Sequence, residues 1–237
     1  ISTNQKYLRQ VRACLKKINI KKYKIILEPA KKNTAPAVLA SALIKDIPNN
    51  QTLIFFPADH LIEKVHKFNK IINKNKKYLT NKNIAIFGIK PTSPSSEYGY
   101  FLTKKINKNI NKVTQFIEKP KPLRAKEIIK KKGYWNSGIF FSRKDSIINN
   151  FKKYQKNTFK YCTESIFKAK YIKNTYYLNK NAFNKIKAES FDYAILEKLD
   201  QLNALKIDVP WSDLGSWKEI SKIYLKNKSK YFNKKNV

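Results

Sequence analysis

Gln51-Thr52-Leu53-Ile54-Phe55-Phe56-Pro57, followed by Ala58-Asp59-His60, is the stretch on which the reading of this chain turns. It is a continuous apolar run of strand length, which predicts a β-strand buried on both faces, with Asp59 and His60 just past its carboxyl end. Upstream, Tyr23-Lys24-Ile25-Ile26-Leu27-Glu28 is a short apolar strand stopped by Pro29. The Ala-rich run Ala35–Ile44, with Pro36 near its start, then predicts a helix. Downstream, a helix is expected from about Lys64 to Tyr78 and another buried strand from Asn83 to Gly88. Strand and helix alternate, which implies right-handed βαβ crossovers and a parallel sheet whose ligands bind beyond the carboxyl ends of its strands.

The flanks complete the pattern. Tyr7, Leu8, Val11 and Leu15 recur three and four apart, a helical spacing with Asn4 placed to cap it. The second half mixes strands near Tyr98–Thr103, Lys112–Glu118, Gly138–Phe141 and Leu202–Asp208 with helices near Leu123–Lys131, Lys144–Tyr154, Thr158–Ala169, Asp192–Lys198 and Ser216–Lys226. There is no internal repeat and no linker, so residues 1–237 are read as one catalytic-domain-like unit.

Composition excludes several classes. With 237 residues, 42% hydrophobic and 13% aromatic, the chain can bury a core, which argues against a disordered basic tail. Cys14 and Cys162 lie far apart without CxxC spacing, so neither a disulfide scaffold nor a zinc module is suggested. No apolar run is long enough to span a bilayer, and the first residues lack the apolar core of a signal peptide, so a cytoplasmic protein without membrane contact is expected. The formal charge of +35 points first to nucleic acid. Yet only Arg9, Arg12, Arg124 and Arg143 are arginines; the excess is Lys, spread along the chain with abundant Asn and Ile. Those three residues have the most A- and T-rich codons, so mutational bias accounts for the charge better than nucleic-acid binding does.

Acidic residues are few, which makes those at strand ends stand out: Glu28, Asp59, Glu118 and Asp213. Asp59 and Asp213 are candidates to hold a divalent cation, since Mg²⁺ takes one or two carboxylates together with substrate phosphates. The ordinary alternative for Asp213 is a helix N-cap. Glu118-Lys119-Pro120 ends an apolar strand, and Pro120 stops the ladder there. This presents a carboxylate that accepts from sugar hydroxyls beside an ammonium that meets phosphate. His60 by itself reads as a packed or surface histidine rather than a general base.

Taken in order, these pieces resemble the type II mannose-1-phosphate guanylyltransferases. The matching blocks are Leu27–Pro36, Phe56–His60, Phe87–Thr92, Tyr98-Gly99-Tyr100, Phe116–Pro120, Trp135–Phe140, Ser190–Lys198 and Trp211–Trp217. The resemblance implies an α/β, Rossmann-like nucleotidyltransferase fold of the nucleotide-diphospho-sugar transferase kind, with a mixed, mostly parallel sheet and helices on both faces. It further implies synthesis of GDP-mannose and pyrophosphate from GTP and mannose 1-phosphate, by in-line attack on the α-phosphorus. In that reading Asp59 and Asp213 hold Mg²⁺, Glu118 and Asn136 bind the mannose hydroxyls, Lys119 meets the sugar phosphate, and Gly99 lets the backbone approach the sugar. Glu28, Asn33 and Thr34 lie near the base, where a carboxylate can accept from both guanine N1–H and N2–H.

The chain also departs from that family. The family usually has Arg where Lys32 stands and often Gly where Glu97 stands. Its first strand and Gly-rich phosphate loop have no counterpart before Ile1, and its C-terminal β-rich region, with an expected dimer contact, has none after the Trp211–Trp217 block. Loss of a central first strand is expected to leave unpaired edges on its neighbours. Two other readings remain: a nucleotidyltransferase for a different sugar 1-phosphate or nucleotide, and a basic nucleic-acid-binding or inactive remnant of the fold.

Overall fold

A computed structural model of the chain describes residues 1–107 and 110–226. In chain order the elements begin β1 (Ser2–Asn4), α1 (Leu8–Lys17), β2 (Ile25–Glu28), α2 (Thr34–Ala42), β3 (Thr52–Phe55), β4 (Leu61–Ile62), α3 (Val65–Asn75) and β5 (Ile84–Ile89). They continue with β6 (Tyr100–Lys105), β7 (Asn111–Ile117), α4 (Pro122–Lys130), β8 (Tyr134–Arg143), α5 (Lys144–Tyr154) and α6 (Lys156–Phe167). The last are β9 (Lys170–Ile172), β10 (Thr175–Tyr177), α7 (Lys180–Asn184), α8 (Phe191–Ala194), β11 (Leu202–Ile207), β12 (Trp211–Ser212) and α9 (Trp217–Lys226). Two compact units result: Ile1–Phe55 with Tyr78–Ala85 and Phe141–Asn203, and Phe56–Lys77 with Ile86–Phe140 and Ala204 onward.

In the first unit β1 and β10 flank β2, both parallel to it, and β9 pairs antiparallel with β10. Of the α1 face predicted from periodicity, Leu8, Val11 and Leu15 pack with Ile25, Leu27 and Tyr177, whereas Tyr7 falls in the turn before the helix and is exposed. Asn4 caps the short turn ahead of α1, accepting from the Lys6 amide. Small residues let α2 approach its neighbours closely, and it packs on α5, α6, α8 and β2 with Val38, Leu39, Ala40 and Ala42 buried. Lys144, almost fully buried, donates to the Ile44 and Ile47 carbonyls just past α2, so its ammonium ties down the turn that follows the helix. Cys14 is exposed, Cys162 is buried, and both are free thiols.

The decisive strand differs from its sequence reading in one respect. β3 covers Thr52–Phe55, and all four residues are half-buried rather than buried on both faces. The reason is its place at one end of the strand order β3-β8-β5-β11-β7-β6, where a neighbour covers only one side. β1 likewise ends the order β1-β2-β10-β9. β5 is buried along nearly its whole length, as its apolar run predicts. The expected helix Asp192–Lys198 is broken at Ile195 into α8 and a single 3₁₀ turn.

In the second unit β6 and β7 form an antiparallel hairpin, β6 also pairs antiparallel with β8, and β12 pairs with β4. Under them Tyr100, Ala125, Ile128 and Trp135 form a buried cluster joined by Tyr98, Ile117 and Trp211. Pro122 in the first turn of α4 suits a position whose amide has no intrahelical partner. Among the described residues no helix is long and apolar enough to cross a membrane.

Gly88 is a close approach in this unit: a Cβ there would stand 2.5 Å from Phe101 Cζ and 3.0 Å from Tyr134 Cβ. Phe101 is itself buried and stacked on Tyr134, so it has little room to yield. Gly88→Ala is expected to lower unfolding stability by about 1–3 kcal/mol, read as a shifted denaturant midpoint at constant slope. An unchanged midpoint would mean that the ring moves freely.

Candidate functional site

Two short antiparallel ladders in the second unit bring most of the predicted residues together. The first is β4 with β12, where Trp211 lies opposite Ile62 and Ser212 opposite Leu61; the Glu63 amide continues the register by donating to the Pro210 carbonyl. One step beyond the ladder, the same register sets Asp213 opposite His60, with Asp59 next in the chain. Both carboxylates act on His60: burial pulls the imidazole below its ordinary pKa, and the charges of Asp59 and Asp213 oppose that shift. Trp211 Nε1 donates to His60 Nδ1 at 3.3 Å, and the two rings meet edge to face at 5.3 Å. His60 is thus a packed histidine, as its isolation in the sequence suggests.

Asp213 is not the N-cap of α9. Its Oδ1 accepts from the Gly215 amide at 3.1 Å, and Ser212 Oγ accepts from Leu214, whose φ is 52°. These bonds fold a tight turn before the helix and fix the carboxylate without using all its lone pairs. On the His60 side, Gly138 adopts φ +69°, with Pro57 and His60 3.5 Å from the position a Cβ would take. The left-handed backbone, more than the space, demands glycine there.

The second ladder joins three strands at one point. Tyr100 pairs with Ile117 of β7 and with Trp135 of β8, so one residue earlier Gly99 faces both Glu118 and Asn136. The Asn136 amide donates to the Gly99 carbonyl at 2.7 Å, and Asn136 Oδ1 accepts from Gly138. A Cβ on residue 99 would collide with Glu118 Oε2, so glycine is what lets the carboxylate lie across the backbone there. Lys119 follows in the left-handed region with φ 44°, a conformation that costs a non-glycine residue about 1–2 kcal/mol. Pro120 behind it is buried.

An aromatic group that the sequence reading did not assign links the two ladders. Tyr98 contacts Trp135 at 4.8 Å and Trp211 at 5.7 Å between ring centroids. Each of these three aromatics lies within two residues of a predicted site residue, and that proximity was the available signal. Trp135 Nε1 is buried without a hydrogen-bond partner.

The three residues expected near the base fall in the first unit. Glu28 ends β2, and its Oε1 accepts from Ser2 Oγ at 2.6 Å. Asn33, at φ 65°, caps α2 through its side chain, and Thr34 begins the helix. Thr34 Oγ1 accepts from the Phe191 amide at 2.8 Å, while Lys32 Nζ donates to the Asn184 carbonyl, so this loop is tied to the segment around α8. Lys32 therefore spends its charge on a carbonyl at the position where the resembled family carries Arg.

The carboxylates of Asp59 and Asp213 are hard oxygen donors with a common neighbour in His60, a donor set that fits Mg²⁺ completed by phosphate oxygens. Among the described residues no group of three or more His, Cys, Asp or Glu side chains is placed to hold a metal ion, so Asp59 and Asp213 would need substrate oxygens to complete such a site.

The chain belongs to the nucleotidyl transferase family, whose pattern matches residues 1–230. It is similar to the mannose-1-phosphate guanylyltransferase of Escherichia coli, with 33% identity over 214 residues covering 86% of this chain and 46% of that protein. Among solved structures it resembles a mannose-6-phosphate isomerase from Helicobacter pylori, with 27% identity and TM-score 0.79 over 90% of this chain and 83% of that one. A mannose-1-phosphate geranyltransferase from Thermus thermophilus shares the fold at 22% identity and TM-score 0.79, covering 94% and 63% of the two chains. The chain spans about half the length of the curated relatives it matches.

Burial pushes the Glu28 carboxyl above its ordinary range, partly opposed by the Ser2 hydrogen bond. A carboxyl that holds its proton more tightly when folded contributes stability below its ordinary pKa, and that contribution is lost as pH rises through the raised value. Glu28→Gln, which keeps an acceptor for Ser2, is expected to raise the denaturation midpoint near about pH 7 and to have no effect near about pH 4. A gain that persists in acid would place the effect elsewhere than in this charge.

Proposed function

We propose that the protein carrying this chain makes GDP-mannose and pyrophosphate from GTP and mannose 1-phosphate, in the cytoplasm, without membrane contact. The observation that carries the reading is the meeting of Gly99, Glu118 and Asn136 at one register position of three strands. The nearby pair Asp59 and Asp213 and the similarity to a guanylyltransferase support it.

In this reading Glu118 accepts from sugar hydroxyls and the Asn136 amide group donates to or accepts from them, while the bare backbone at Gly99 lets the ring come close. Lys119 places its ammonium against the sugar phosphate as a point charge. A phosphate oxygen of mannose 1-phosphate forms the new bond to the α-phosphorus of GTP, and the bond to the β-phosphate bridging oxygen breaks as pyrophosphate leaves. The chain's own task is to hold nucleophile and leaving group in line and offset their charge. Mg²⁺ held by Asp59 and Asp213 would supply positive charge to the phosphate oxygens. Glu28, Asn33 and Thr34 would serve the guanine.

Asp59→Asn and Asp213→Asn are each expected to lower turnover by about 100-fold or more with the unfolding midpoint unchanged. Full turnover at saturating Mg²⁺ would remove both from the reaction. Glu118→Gln is expected to raise the KM for mannose 1-phosphate and not that for GTP; a defect confined to GTP would reassign it. Comparing GTP with ATP, UTP and dTTP tests the nucleotide, and preference for another triphosphate would overturn the guanylyl assignment.

Lys119 offers a separate check, because glycine tolerates its backbone and lacks its charge. Lys119→Gly is expected to keep or raise stability by up to about 1 kcal/mol while weakening mannose 1-phosphate binding. Loss of stability and binding together would make Lys119 a structural residue.

A further inference from the structure

A cavity of about 680 Å³ opens in the second unit at the far end of the β6–β7 hairpin from Gly99 and Glu118. Lys105 pairs with Asn111 at its wall, five residues along β6 from Tyr100, which puts it about 17 Å from the sugar-side ladder. Its size suits a molecule of nucleotide dimensions, since ligand sites span roughly 300–1,000 Å³.

The wall is built mainly by one face of α3. Lys67, Lys70, Ile71, Lys74 and Asn75 recur at three- and four-residue intervals and all line the cavity. α3 contains no Asp or Glu, so Lys67, Lys70 and Lys74 repel one another along the helix with no acid on it to relieve them. Lys105 adds charge from β6, and Lys206 lines the wall from β11 with its ammonium over the Tyr134 ring, against the single carboxylate of Asp208. Lysine is about a fifth of the chain, so composition would put two or three among twelve lining residues; five are there. Mutational bias explains the average and not this concentration.

The remaining wall is not charged. Ile71, Leu205 and Val209 supply apolar surface, and Asn75, Asn107 and Asn111 supply amides. Asn75 is buried; its Nδ2 donates to the Ile71 carbonyl, and its Oδ1 has no partner. A buried acceptor left in this state costs free energy and wants a donor.

We propose that this cavity is a second binding site, separate from the sugar-side ladder, for a phosphorylated small molecule of nucleotide size. Phosphate sits among the ammonium groups of α3 and Lys105, and a planar or apolar body with hydrogen-bonding edges rests on Ile71, Leu205 and Val209. A concave site with an apolar wall favours such a molecule over the extended backbone of RNA, which asks for a groove and stacking platforms.

The test is a backbone and side-chain amide NMR titration of the whole chain with ADP, repeated with inorganic phosphate and with a short single-stranded RNA. Because it is read at the cavity residues, its outcome is independent of the guanylyltransferase assay. Saturable shifts centred on Lys70–Asn75 and Leu205–Val209 are expected, with ADP tighter than phosphate. Lys70→Ala with Lys105→Ala is expected to weaken ADP by at least about tenfold, while Lys16→Ala with Lys17→Ala on α1 leaves it unchanged. Absence of saturation, equal weakening by the α1 pair, phosphate binding as tightly as ADP, or RNA binding these residues more tightly than ADP would each overturn the proposal.

Discussion

One register position governs the sugar-side half of the molecule: the point where Gly99 lies opposite Glu118 on one strand and Asn136 on another. Antiparallel pairing is what makes this possible. Its side-chain period is two, so a slip of one residue would turn Glu118 and Asn136 to the other face and bury a carboxylate in the cluster of Tyr100, Trp135 and Ile128. The apolar pattern on one face therefore fixes the polar constellation on the other. Glycine at 99 is the remaining condition, because any side chain would occupy the space that the Glu118 carboxylate fills. The site is a by-product of core packing, with one residue left bare to admit it.

The same economy appears around Asp213. A ladder of only two pairs between β4 and β12 is too short to hold itself, and the aromatics supply what hydrogen bonds alone do not. Trp211 packs on Tyr98 and His60 and donates to the latter, so the turn that carries Asp213 is anchored from its first residue. His60 serves as part of that anchor. Its proximity to two carboxylates follows from where the turn must sit, and burial holding the imidazole toward its neutral form agrees with a packing role.

Much of this was legible in the sequence, and the parts that were not have physical reasons. A long apolar run announced β5, and the strand that stops just before Glu118 could be placed because an acid and a proline follow it; β8 begins at Tyr134, four residues ahead of the strand read from Gly138, so Asn136 lies inside it. The hairpin of β9 and β10 was missed. Its turn is Lys173-Asn174, both at positive φ, a conformation that sequence reading assigns to glycine, and no Gly marks it. The break at Ile195 was missed because a helix of seven residues is decided by packing rather than by propensity. The half-burial of β3 was invisible for another reason: an apolar run reports the tendency to be covered, whereas coverage depends on the neighbours in the sheet. For the site itself, the sequence named acids and amides but not the aromatics holding them, since Tyr98, Trp135 and Trp211 look like ordinary core residues until the strands are paired.

Charge is the property in which composition and structure diverge most. A mutationally biased chain accumulates lysine wherever lysine is tolerated, and tolerance is greatest on solvated helix faces, so a net +35 by itself says little about partners. That argument predicts dispersal, because like charges three or four residues apart on a helix lower its stability and selection for folding spreads them or intersperses acids. α6 follows it, with Glu164 ion-paired to Lys168. α4 does too, with Arg124 paired to Glu127. α1 and α3 do not: Arg9, Arg12 and Lys16 on α1 recur at the same spacing as Lys67, Lys70 and Lys74 on α3, and neither helix carries an acid, but the α3 face lines a cavity that Lys105 joins from β6. Bias in the genome sets how many lysines the chain must accommodate. Folding then decides where they go, and what sets α3 apart from α1 is that its lysine face borders a cavity with an apolar wall and a buried, unpartnered acceptor at Asn75.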